Sequence, residues 1–326
     1  MKSERFLLPT LSPPKSLCWS GEELVDWAAG GLRHHLDGRT SESHIRYSYR
    51  FDAAVMSPDG RYAVLYERLG TKGLLLREGE VVRELNRSFY HADVYEYPVA
   101  LCTLPSGRTL LAHCPEDYCR LELEDAETGE RLTRRDSDPA DIFHSRLQFS
   151  RDGRWLLSAG WIWHPVDAAC VFDVSRALEQ PASLDRPGDL NLLGEDFVEC
   201  QAAAFGARDT VLLGCSDFGG PAEGEHSRLV VYSLLEQREL SRVTPQAPLG
   251  TLMGLGEYAV SFLGHPRLLE LATGRGVEEW PELDTGLQSS SIIHHLPKLP
   301  PLALDPQGRR FAVGTEKGIE VIRFSP

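Results

Sequence analysis

The sequence predicts an all-β fold, a single seven-bladed β-propeller spanning residues 1–326, and three observations carry the prediction. The first is a repeated figure of apolar run, tight turn and apolar run. It reads Ala54-Val55-Met56-Ser57-Pro58-Asp59-Gly60-Arg61-Tyr62-Ala63-Val64 and returns at 147–157 and 302–312. Ser, Pro, Asp and Gly each favour a turn for a separate backbone reason. The second is spacing. The turn markers Gly21, Gly60, Gly107, Gly153, Asp209, Gly256 and Gly308 stand 39, 47, 46, 56, 47 and 52 residues apart. Seven units of that length match the period of a propeller blade. The third is the run of short apolar segments at even intervals with no long helical stretch between them, the pattern of an antiparallel all-β chain.

The elements follow in order. Residues 1–12 are expected to be a strand that closes the last blade. The blades themselves are expected over 13–43, 44–88, 94–136, 142–190, 197–245, 248–288 and 292–326. Within each, the turn leads to a second apolar strand, a variable loop and a third strand, such as Gly73-Leu74-Leu75-Leu76-Arg77 or Ala169-Cys170-Val171-Phe172-Asp173-Val174. A turn such as Ala126-Glu127-Thr128-Gly129-Glu130 then leads to an outer polar strand. The last unit stops after its third strand at Phe324, and Glu4-Arg5-Phe6-Leu7-Leu8-Pro9 reads as the missing outer one. Adding it removes an exposed edge and ties the two chain ends together. A six-bladed ring is the alternative, with 16–36 as a helical cap, but Gly30-Gly31 would break a long helix there.

The Ser-Pro-Asp-Gly-Arg turn at 57–61, with its relatives at 150–154 and 305–309, resembles the turns of the bacterial WD-repeat-like β-propellers. The resemblance covers nearly the whole chain and implies a ring of four-stranded blades. The chain departs from true WD repeats. No third strand ends in Trp-Asp, Val171-Phe172-Asp173 being nearest, and Gly-His occurs only at Gly264-His265. Apolar packing between blades is therefore expected to replace much of that family's buried hydrogen-bonded tetrad.

Composition narrows the function. The net charge of −14 argues against a nucleic-acid partner, which needs a basic surface, and suits a basic protein partner. No run of 18 apolar residues exists, so no membrane span is expected, and 1–6 lacks the apolar core of a secretory signal. A cytoplasmic location follows as the expectation. The seven cysteines are odd in number and irregularly spaced, which suggests reduced, mostly buried thiols. Cys114 and Cys119 lack a second Cys/His pair at zinc spacing.

In a propeller the loops between strands two and three share a face with the passages between blades, and function is expected there. Here that face collects aromatic and acidic residues: Tyr90, Asp93, Tyr95 and Tyr97 entering the third blade, Glu116, Asp117 and Tyr118 inside it, and Asp141 and Phe143 entering the fourth. Trp161 and Trp163 follow within the fourth and Asp217 and Phe218 within the fifth. Exposed Tyr and Trp dominate binding hot spots, and carboxylates around them select a basic partner. Two residues apart on a strand, Trp161 and Trp163 are expected to be buried or exposed together. The sequence thus predicts a non-catalytic protein-interaction scaffold, a regulatory subunit or an inhibitor-type binder, with no catalytic residue, metal or cofactor.

The alternative is a lactonase-like propeller hydrolase with a metal or acid/base site in the channel. Converging ligands should recur at one offset from the turn. His91, His144 and His295 lie 16, 9 and 13 residues before Gly107, Gly153 and Gly308, so they mark no common ring. His294-His295 and His34-His35 are neighbours, which on a strand point to opposite faces. No nucleophile elbow or phosphate loop occurs.

Overall fold

In a computed structural model, which describes residues 1–41, 47–163, 165–186, 197–217 and 227–325, the repeated turn is built from its own side chains. Ser57 Oγ donates to Asp59 Oδ1 at 2.6 Å and accepts the Tyr62 N–H at 2.9 Å. Gly60, at φ +76°, takes the left-handed position that a Cβ disfavours. Ser150, Asp152, Trp155 and Gly153 repeat the arrangement with the same two distances and φ +72°. The third copy differs: Asp305 Oδ1 accepts the Gly308 N–H, and Arg309 is the left-handed residue. In the fifth unit Arg208 and Asp209 hold those positions, so no glycine marks the turn.

The chain is a β-propeller of seven antiparallel sheets in a ring. Blade one holds Cys18–Ser20, Glu23–Asp26, Leu32–His35 and Thr40–Ser41; blade two Ala53–Met56, Tyr62–Tyr66, Lys72–Arg77 and Glu80–Asn86. Blade three holds Val99–Thr103, Thr109–His113 and Glu122–Asp125; blade four Ile142–Phe143, Gln148–Phe149, Trp155–Ile162 and Val166–Asp173. Blade five holds Phe197–Phe205, Thr210–Asp217, Ser227–Ser233 and Arg238–Val243; blade six Leu252–Leu255, Tyr258–Ser261, Arg267–Glu270 and Gly276–Glu279. Blade seven holds Leu302–Asp305, Arg310–Thr315 and Gly318–Ser325, and its outer strand is Lys2–Pro9, paired from Lys2 against Ser325 to Pro9 against Gly318. Residues 18–35 form a true sheet, so the ring has seven blades. Gly30 and Gly31 are both left-handed and confine Trp27–Ala29 to a single 3-10 turn.

Each of seven hydrophobic clusters straddles one blade interface. Ala63 and Leu65 of blade two face Cys18 and Val25 of blade one, whereas Tyr62, Val64 and Tyr66 face Val99 and Leu111 of blade three. Both faces of a blade are therefore buried, which explains why the middle strands read as continuous apolar runs rather than alternating ones. Clusters of the same kind join blades three to four, four to five, five to six, six to seven and seven to one. Turn residues add polar ties between neighbours. Trp155 Nε1 donates to Asp209 at 2.9 Å, Arg61 to the Gly107 carbonyl at 2.9 Å, and Arg310 to Glu22 at 2.7 Å while stacking over Trp19.

Two blades depart from expectation at their outer edge. Blade three lacks a fourth strand; only a bridge from Glu124 to Arg131 remains, and Thr133 bonds the Leu123 N–H and Glu122 instead. In blade four the helix Val174–Glu179 stands where an outer strand was expected, capped by Asp173, whose carboxylate accepts the Arg176 N–H. The first strand of blade four is also split, with Arg146 left-handed at φ +45° in the gap.

His144, in that gap, is buried and bonded to Ser158 Oγ at 3.0 Å. Burial lowers its pKa from 6.5 to about 4. Between those values the unfolded chain binds a proton that the folded chain refuses. Stability is therefore intact above the upper value and falls as pH drops through the window. Urea titrations at pH 7 and pH 5 should show about 2 kcal/mol lost through this group. In His144→Gln that part of the pH slope should vanish, leaving the rest of the curve in place.

Candidate binding face and central cavity

Sequence-predicted aromatic residues from separate segments meet in one place. Phe143 stacks on Trp161 at 3.7 Å between ring centroids and on Tyr118 at 4.1 Å. Tyr95 meets Phe143 edge-on at 5.6 Å. Above them lie Tyr90, 5.1 Å from Tyr118, and Trp163, 5.4 Å from Trp161. His91 completes the group, 5.6 Å from Trp163 and 4.5 Å from Tyr90. Edge-to-face and offset stacks at these separations are favourable for quadrupolar rings. Gly160 permits the central stack: a Cβ there would lie 1.8 Å from the Phe143 carbonyl oxygen.

The cluster has a floor and a lip. Tyr95, Phe143 and Trp161 are buried, and Tyr97 is buried beside Tyr66 in the interface between blades two and three. These four were expected on an exposed rim; the structure makes them core instead. Tyr90, 42% exposed, and Trp163, 41% exposed, form the lip, and Phe89, 86% exposed, adjoins Tyr90 in the chain. Trp161 and Trp163 do not share a fate because the strand ends at Ile162, and the alternation of faces ends with it. Asp93, Glu116, Asp117 and Asp141 are exposed as expected. Glu116 pairs with Arg131 at 2.6 Å and Asp141 accepts the Tyr118 hydroxyl at 2.6 Å. Asp93 and Asp117 make no ion pair among the described residues. Asp217 ends its strand in blade five with its side chain outside the described residues, and Phe218 lies wholly outside them.

Two features that position this face were not anticipated. Arg87 is buried beneath the passage 89–97 and pegs it, donating to the Gly70, Ala92 and Tyr95 carbonyls at 2.7, 2.6 and 3.1 Å. Its guanidinium also lies 4.7 Å from the Tyr95 ring centroid and 5.0 Å from that of Tyr97. Burial lowers its pKa and raises those of both phenols, so the tyrosines keep their protons. The second feature is the connection from blade six to blade seven, which crosses the ring. Ile292 bridges Tyr95, Ile293 N–H donates to the Val94 carbonyl at 2.9 Å, and Ser291 donates its N–H and hydroxyl to Asp167 of blade four. The sequence signal was the long interval between Trp280 and Leu302 without a strand pattern.

Near this strap the axis of the ring holds a cavity of about 270 Å³ whose walls come from all seven blades and their connections. Its polar lining includes Asp52, Tyr66, Arg68, Glu96, Arg146 and Gln288. Glu96 accepts the Tyr66 hydroxyl at 3.2 Å and Gln288 Nε2 at 3.4 Å. Arg146 Nε and Nη1 donate to the Ala159 and Gln201 carbonyls at 2.8 Å each.

His294 and His295 lie in a turn rather than a strand and are both exposed, while His34 is buried and His35 bonds Glu23 at 2.9 Å. Among the described residues no three His, Cys, Asp or Glu side chains come close enough to hold a metal ion, and no helix is long and apolar enough to cross a membrane. Six of the seven cysteines are buried and Cys119 is half-buried. Comparison with protein-family models and with curated proteins finds no match.

Proposed function

We propose that this propeller is a non-catalytic interaction scaffold whose aromatic lip takes a basic segment of another protein. The fold itself serves scaffolds and hydrolases alike, so the reading rests on the site. The supporting observation is the lip of Tyr90 and Trp163, seated on a stacked floor, with exposed Phe89, Asp93 and Asp117 next to its segments in the chain. Rigid rings held by packing lose little entropy on binding, and unpaired carboxylates beside them favour a cationic partner. A regulatory subunit and an inhibitor-type binder both use such a surface. The Ser-Pro-Asp-Gly-Arg turn at 57–61 and its relatives at 150–154 and 305–309 favour a place among the bacterial WD-repeat-like propellers, and a cytoplasmic setting accords with that likeness.

Fluorescence anisotropy with an arginine- and lysine-rich peptide array tests the reading. Tyr90→Ala and Trp163→Ala should each weaken capture about tenfold or more, as a hot-spot residue does, and leave melting within about 2 °C. Affinity should fall as salt rises. Capture indifferent to both substitutions would refute the assignment of this face.

A further inference from the structure

The central cavity is chemically lopsided. Its carboxylates are supplied with donors: both Glu96 oxygens accept hydrogen bonds, and Asp52 Oδ1 accepts the Arg68 backbone N–H at 2.8 Å. Its arginines are supplied only in part: Arg146 places Nε and Nη1 on backbone carbonyls, and each guanidinium has only a long ion pair to a carboxylate. The Arg68 guanidinium makes no hydrogen bond among the described residues, and the nearest carboxylate oxygen, on Glu96, is 3.9 Å away. Arg146 Nη2 is buried without a hydrogen-bond partner, 3.8 Å from Asp167. The buried hydroxyl of Tyr97, another residue of the cavity wall, also lacks a partner. Arg146 Nη2 and the Tyr97 hydroxyl are thus buried donors left unsatisfied, which is costly and uncommon in natural interiors, while the Arg68 side chain is 21% exposed.

We propose that the cavity binds a small organic carboxylate, held by the guanidinium groups of Arg68 and Arg146. A carboxylate is planar and accepts two parallel N–H bonds from one guanidinium, a strong charge-assisted pair. For a cationic ligand, Glu96 is already engaged through both oxygens by Tyr66 and Gln288, and Asp52 through Oδ1 by the Arg68 backbone N–H. The volume, about 270 Å³, suits a ligand of few heavy atoms, near the lower end of the roughly 300–1,000 Å³ of small-molecule sites. Gln288 belongs to the strap and also bonds Glu96, so the strap forms part of the wall. This site is separate from the aromatic lip and does not depend on it.

The test is calorimetric titration and thermal melting of the full chain with acetate, succinate, glutamate and citrate, with inorganic phosphate and choline chloride as contrasts. At least one carboxylate should bind saturably and raise the melting temperature. Arg68→Gln should weaken that binding at least tenfold, with the unliganded melting temperature nearly unchanged. If Arg68→Gln fails to fold, Arg68→Lys, which keeps the charge but loses the fork, should weaken binding at least fivefold. Tyr90→Ala and Trp163→Ala should leave carboxylate binding intact, which separates this site from the protein-binding face. Absence of saturable binding by every carboxylate, an equal response in the folded Arg68 variant, or binding of choline or phosphate alone overturns the proposal.

Discussion

Trp161→Ala is expected to cost about 3–5 kcal/mol of stability, the range for truncating a buried aromatic, and to lower the melting temperature by roughly 6–15 °C. Trp161 is 3% exposed and stacks on Phe143, which stacks in turn on Tyr118. Its removal opens a void beneath Tyr95 and takes the support from under Trp163. Partner capture and melting should therefore fall together in this variant. In Trp163→Ala, two positions along, capture should fall alone. Urea denaturation followed by tyrosine fluorescence, beside the peptide titration, measures both quantities. A Trp161→Ala variant that melts with the parent chain would mean that the floor is not packed as described.

The split between those two tryptophans shows what the sequence could and could not convey. Turn chemistry is local, so Ser57, Asp59 and Gly60 announced a hairpin directly, and the copies of that hairpin gave the blade number and the closing strand. That the segments carrying Tyr90, Tyr118, Phe143 and Trp163 would meet followed from the same count. Exposure did not. It depends on where a strand stops, and Trp161 and Trp163 lie on either side of such a stop. Burial of Tyr95 and Tyr97 depends on Arg87, an ordinary charged residue in the sequence until the fold encloses it. The outer edges of blades three and four were illegible for a related reason. An outer strand is polar and weakly patterned, so a loop with a bridge at Arg131 or a short helix after Asp173 looks much the same. The cavity was illegible too, since Asp52 and Arg68 of blade two, Glu96 at the entry to blade three and Arg146 of blade four converge only when the ring closes.

Ring closure is the physical basis of the whole arrangement. Lys2–Pro9 pairs along its full length with Gly318–Ser325, and Leu8 is buried against Ile319, Leu17 and Leu24 in the interface between blades seven and one. Ser3 also bonds Glu278 of blade six at 2.5 Å. Without this strand, Gly318–Ser325 becomes an exposed apolar edge, prone to pairing between molecules. Loss of Leu8 alone corresponds to about 2–5 kcal/mol, before the ladder is counted.

The decisive measurement is the melting temperature of the chain lacking residues 1–9, alone and with a synthetic peptide of those residues added back. The closed ring predicts a fall of about 10 °C or more, with aggregation on heating, and recovery of most of the loss when the peptide is supplied. Melting indistinguishable from the full chain, with no response to the peptide, would contradict it.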